Sequence, residues 1–201
     1  MLCLLDPSTV EADLDSGAVS CPHRGCDGQL GPWGHARTRR LRLRRGQTQA
    51  HTPRRARCRT CRRTQVLHSP RSYPRRPDTA ETVATALLAA AEGLSHRRVA
   101  EQVDLPATTV RGWIRRAKTN SETVRVDATI ATYTLDPGAG PFGPTRSPLG
   151  DMLDAVGRSV AAYISRVGTV ADPWHLTVAL TGGGILAPRP GIHWGHTGPS
   201  G

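Results

Sequence analysis

Aromatic side chains are scarce in this 201-residue chain, with one Phe, three Tyr and four Trp. A large aromatic core is thereby excluded, and the length allows one or two small domains rather than a large multidomain enzyme. Long hydrophobic runs are also lacking. No stretch of about 18 apolar residues occurs, so no transmembrane helix is expected. The leading residues MLCLLDPSTVEADLD have no base ahead of an apolar core, so no secretory signal is expected and a cytoplasmic location follows. No P-loop and no GxSxG nucleophile motif occurs. Lysine is nearly absent: Lys118 stands alone beside 26 Arg, a bias that high-GC coding produces without function.

Acid is missing where base is densest. Residues 21–77 carry 16 Arg against Asp27 alone, whereas residues 1–20 carry four acids and no base. Nearly all of the net charge of +11 therefore sits in one stretch. A concentrated positive field attracts polyanions, nucleic acid above all. A membrane surface is a poorer match, since the stretch lacks an apolar helical face. The coding bias explains Arg over Lys but not this clustering.

The same stretch holds four of the five cysteines, in CPHRGC (Cys21, Cys26) and CRTC (Cys58, Cys61). Two close pairs with a long insert are the spacing of a four-thiolate zinc site, because a tight turn lets both sulfurs of a pair reach one ion. Gly25 and Gly28 give the first turn its freedom. His23, inside that wider first pair, is an alternative donor. TRRLRLRR over 38–45 alternates Leu and Arg, and RARCRTC returns towards the metal, as in a β-hairpin. Such a zinc ribbon buries little apolar surface, so the metal supplies much of its folding energy. A disulfide framework, a redox CxxC and a degenerate, metal-free site are the competing uses. The missing secretion signal and the surrounding arginines argue against the first two. Cys3 has no partner in the pattern.

Residues 69–77, SPRSYPRRP, read as an extended linker. Asp78 and Glu81 resemble a capping box for a helix with Val83, Leu87, Leu88 and Ala91 on one face, stopped at Gly93. Ser95 caps a second helix that turns in Val99, Ala100 and Val103. DLPA turns the chain, and a third helix from about Ala107 turns in Val110, Trp113 and Ile114. Small Ala100 at the crossing, Leu105 in the turn, and Val110 and Trp113 ten and thirteen residues beyond Ala100 are the offsets of a helix-turn-helix. Thr108, Thr109, Arg111, Gly112 and Arg115 then point outward, where a recognition helix meets base edges. Arg97 and Arg98 on the second helix and Arg40, Arg42 and Arg44 on the ribbon are the candidate phosphate contacts.

Val110, Ile114, Ala117, Ser121, Val124, Ala128, Ala131 and Leu135 continue a 4-3 spacing, which extends the third helix to Asp136-Pro137. A strand is the alternative over part of it, because Val124, Val126, Ala128 and Ile130 also alternate. A further helix is expected over about 149–167, and one from Asp172-Pro173-Trp174 to Gly182–Gly184. These helices fold back on the long one or pair with a second chain as a homodimer.

CPHRGC, CRTCRRT and GLSHRRVAEQVDLPATTVRGWIRRA together resemble helix-turn-helix proteins of high-GC bacteria that carry an N-terminal zinc ribbon. They also resemble the N-terminal modules of insertion-sequence transposases. The resemblance spans residues 21–119, with an echo in DPWHLTVALTGG. It implies DNA binding, with Cys21, Cys26, Cys58 and Cys61 as metal ligands and Arg111 and Arg115 as DNA contacts. The wide first knuckle and Pro106 in place of a Ser cap depart from that pattern.

The expected architecture is mainly α: a small β zinc ribbon, a three-helix helix-turn-helix unit and C-terminal helices. Its segments are an acidic lead-in (1–20), the ribbon (21–68), the linker (69–77), the helix-turn-helix (78–119), a helical region (120–185) and a disordered tail (186–201). The expected function is binding of double-stranded DNA with Zn²⁺ as cofactor, as a transcription regulator or a transposase-associated recognition module. The alternative is a zinc-ribbon adaptor for a protein or RNA. A remnant recombinase is the weakest option. The acids after residue 119 (Glu122, Asp127, Asp136, Asp151, Asp154, Asp172) lack a strand frame to hold two metal ions, so no enzyme is expected.

Overall fold

A computed structural model of the protein describes residues 2–3, 9–43, 46–168 and 172–187. Its N-terminal part is a small β unit preceded by a helix. Helix α1 (Val10–Ser16) comes first, ended by Gly17 in the left-handed region at φ +77°. Val10 and Leu14, four apart, sit on a small apolar cluster with Cys21, Leu30, Ala56, Cys58 and Leu67. Arg54 grips Glu11 in a bidentate pair (2.6 and 2.8 Å), so the acidic lead-in folds onto the ribbon.

The strands are β1 (Leu2–Cys3), β2 (Leu30–His35), β3 (Arg39–Arg42), β4 (Thr48–His51), β5 (Arg54–Cys58) and β6 (Thr64–His68). One sheet has the order β1-β6-β5-β2, with β1 parallel to β6 and the other pairs antiparallel. A second sheet is the β3–β4 hairpin, with Arg39 opposite His51 and Arg42 opposite Thr48. The continuous hairpin expected between the knuckles is therefore interrupted. The register shifts between Pro32 and His35, Gly34 takes φ +93°, and Pro53 lacks an N–H to continue the ladder.

Five more helices follow: α2 (Ala80–Ala91), α3 (His96–Val103), α4 (Ala107–Leu135), α5 (Pro148–Val167) and α6 (Pro173–Leu180). Among the described residues, six helices and two small sheets make the fold mixed rather than mainly α. The α2 cap differs from the expected box. Thr79 accepts from Thr82 N, while Asp78 is buried and turned to Arg42. Ser95 caps α3, and Asp104 ends it with a left-handed φ of 53°. Val99, Ala100, Val103, Val110 and Trp113 are all buried, as the offsets require.

The 29 residues of α4 span roughly 43 Å. Residues 124–130 are helix, not strand, because the 4-3 stripe finds a partner: α5 packs along α4. Both helices bury small side chains, Ala117, Ser121 and Ala128 on α4 and Ala155 and Ser159 on α5. The buried hydroxyls of Ser121, Thr132 and Ser159 donate to carbonyls of their own helices. Asp172 caps α6 through the amides of Trp174 and His175.

The linker and the chain after α6 both pack. Tyr73 is buried in the helical core, as are Ile185 and Leu186, the latter placed by the sequence at the start of the tail. Asn120 Nδ2 donates to the carbonyls of Gly184, Ile185 and Ala187. Gly183 lies so close to Pro74 that a Cβ there would sit 2.5 Å from Pro74 Cδ. The rest of the expected tail, 188–201, lies outside the described residues. Among the described residues no helix is long and apolar enough to cross a membrane.

Candidate metal centre and nucleic-acid interface

The first knuckle turns at Gly25 (φ +73°), with Cys26 N donating to His23 O and Cys21 N to Gly28 O. The second turns at Arg62 (φ 63°), with Cys58 N donating to Arg63 O and Cys61 N to Cys58 Sγ. Gly28 acts by its size rather than its φ. A Cβ there would lie 2.7 Å from Cys58 Sγ and 2.5 Å from Thr60 Oγ1.

These turns bring Cys21, Cys26, Cys58 and Cys61 together, all four sulfurs lying within 4.8 Å of one another. The Cys21–Cys61 and Cys26–Cys58 separations are 3.7 and 3.6 Å, and all four are free thiols. A disulfide needs about 2.05 Å. Four sulfurs placed about 2.3 Å from one ion stand about 3.8 Å apart. The donor set therefore fits a tetrahedral metal ion. Burial raises Cys58, but the Cys61 and Thr60 amides outweigh it and bring the thiol down to about 6; burial pushes Cys21 up to about 12. The four sulfurs assemble without His23, whose Nδ1 lies 3.5 Å from Arg63 Nη1.

On the helix-turn-helix, Thr108, Arg111 and Arg115 are exposed on α4, and Thr109 and Gly112 are half-buried. Arg97 and Arg98 are exposed on α3. A groove of about 680 Å³ runs between the start of α3 and α4, lined by Ser95, His96, Arg111, Ile114, Arg115 and Lys118 among others. Lys118 and His96 belong to this surface and were missed in the sequence. The signal for Lys118 was present, since 111, 115 and 118 form an i, i+4, i+7 stripe. At Gly112 the nearest atom to an added Cβ is Arg116 Nη1 at 3.0 Å, the end of a flexible side chain.

The ribbon arginines divide. Arg40 is exposed. Arg42 is not a free cation: its Nε and Nη2 donate to Asp78 Oδ1 and Oδ2 at 2.9 and 3.1 Å. Arg44 lies outside the described residues. Sequence also passed over Trp33, half exposed on β2 with the Arg57 guanidinium 4.4 Å above its ring. Several acids beyond residue 119 have structural partners. Asp151 accepts from Thr145 N, Asp154 pairs with Arg158, and Glu122 pairs with Arg125.

No curated protein and no solved structure matches the chain. Residues 77–123, which span α2, α3 and the first half of α4, match the family model of a homeodomain-like domain, so this segment is a helix-turn-helix of a kind suited to DNA.

Proposed function

We propose that the protein binds double-stranded DNA, with α4 as recognition helix and Zn²⁺ held by Cys21, Cys26, Cys58 and Cys61. The observation that carries this reading is the exposed Arg111, Arg115 and Lys118 stripe facing the start of α3 within the homeodomain-like segment. Arg111 and Arg115 are suited to guanine edges, and Thr108 and Thr109 to bases or phosphate. Arg97, Arg98 and Arg40 supply phosphate contacts that fix the docking. When bound, zinc organises the ribbon and takes no part in chemistry. The role is that of a transcription regulator or of the DNA-recognition part of a mobile-element system, in the cytoplasm and without a catalytic step of its own.

Selection from random duplex DNA at about 0.2 M salt, where phosphate-only binding is largely suppressed, should recover a motif. A palindromic motif points to a homodimer and a regulator. Arg111→Ala with Arg115→Ala should abolish the motif. With about six phosphates contacted, log K against log salt should slope near −5. A slope near zero, or no retention of folded, zinc-loaded protein, sinks the reading.

A second reading, an adaptor for a protein or RNA, draws on exposed Trp33 beneath Arg57. It requires that the same two substitutions leave partner capture intact while Cys58→Ser destroys it.

A further inference from the structure

Arg42 and Asp78 serve neither the metal centre nor the recognition helix. The Asp78 side chain is 1% exposed, and it holds both Arg42 donors from a position just before α2. The main chain repeats the tie. Arg42 N donates to Pro77 O at 2.6 Å and Thr79 N donates to Arg42 O at 3.1 Å. Residues 77–79 thus lie beside β3 as a short parallel partner, and Thr79 is also the cap of α2. The adjoining turn of the hairpin reaches the helices as well. A Cβ on Gly46 would stand 3.9 Å from Asp104 Oδ2, in the turn between α3 and α4. Leu41, next to Arg42 on β3, is buried. The hairpin is therefore fixed to the helix-turn-helix at its turn end, with Arg39 and Arg40 exposed along the strand leading to it.

A buried ion pair is a poor source of net stability, since desolvation offsets most of the attraction, but it enforces one geometry. A carboxylate beside a DNA-binding face is also unfavourable on charge alone. A phosphate-gripping arm held rigidly needs no ordering when it docks, whereas a tethered arm must lose its freedom first.

We propose that the β3–β4 hairpin and the α3–α4 pair form one rigid face on a single DNA duplex. Arg42 and Asp78 are positioning residues that set the phosphate contacts of Arg39 and Arg40 in register with the recognition helix. This rests on the DNA-binding reading above and adds a second, fixed element to its footprint.

The test uses the full zinc-loaded chain and a duplex carrying the selected motif. Asp78→Asn removes a negative charge, yet it should weaken binding about fivefold or more, several times the change expected from charge alone. It should also shorten the hydroxyl-radical footprint on one flank while the central protection remains. Arg42→Met with Asp78→Asn, which leaves net charge unchanged, should do the same with metal content and helical circular dichroism intact. Arg40→Gln, which does not touch the pair, should lose the flank alone and keeps the proposal testable if the other variants fold poorly. Tighter binding by Asp78→Asn would mean that Arg42 is merely released to phosphate, and it overturns the proposal. So does an unshortened footprint in the double variant or in Arg40→Gln. If wild-type protein binds no duplex at all, the DNA reading falls and this proposal with it; if it binds and the variants match it, only the proposal falls.

Discussion

Single residues act here through the space they leave. Gly28 faces Cys58 Sγ and Thr60, and its turn tolerates no Cβ. Gly28→Ala should therefore cost about 1–3 kcal/mol in ribbon stability. It should also weaken zinc binding in a competition titration with a chromogenic chelator, whereas Gly25→Ala, open around its Cβ position, perturbs only the backbone. An unchanged zinc affinity in Gly28→Ala would show that the knuckle relaxes freely. Gly112 is the opposite case. Nothing but the tip of Arg116 opposes a side chain there, so Gly112→Ala should stabilise α4 by about 1 kcal/mol. If that glycine serves a close backbone approach to DNA, the more stable variant binds DNA less well; equal or tighter binding removes Gly112 from the interface. The cysteine spacing announced the cluster of four sulfurs because both knuckles are local. Arg42 and Asp78 stayed hidden because 36 positions separate them and the Asp78–Glu81 spacing imitates a capping box.

At the scale of elements, α4 and α5 were readable because each carries an uninterrupted apolar stripe and a terminal signal, Pro137 after one and Ser147-Pro148 before the other. The ambiguity between strand and helix at 124–130 was real at the level of pattern, since Val126 and Ile130 are exposed on the helix and alternation counts them as core. Tertiary packing decided it: the small residues of α4 suit a facing helix. Ala128→Leu should overpack this contact and cost about 1–3 kcal/mol, seen as a lower thermal midpoint with the ribbon's metal content unchanged. No loss of stability would mean that α5 is not seated on this stripe. The ribbon's interruption was less legible, because Gly34 and Pro53 break a hairpin whose Leu–Arg alternation continues through the break.

Over the whole molecule, charge and burial combine to set a pH limit. Burial, and then the positive field of Arg71 and Arg39, holds His51 below the usual imidazole range; burial with Arg39 and Arg75 does the same for His68. Burial also lowers His175. Protons therefore favour the unfolded chain. Stability is full above the unfolded value of about 6.5 and is lost as the pH falls below it. The thermal midpoint should drop between about pH 7.5 and 5.5, and His68→Gln should reduce the drop; a flat profile in the native chain contradicts the assignment. In the zinc-loaded protein proposed above, protonation of the thiolates would add metal release on the acid side. The Asn120 clasp on Gly184, Ile185 and Ala187 sets an order in time. All four sulfurs are present once Cys61 has been made, and the last strand of the ribbon ends at His68. The middle of α4 receives its final cover only when residue 187 has left the ribosomal tunnel. Metal loading can thus precede completion of the helical core by more than a hundred codons. A nascent chain spends that interval as a finished ribbon trailing an open, apolar helix pair, which is the stage at which chaperone contact matters most.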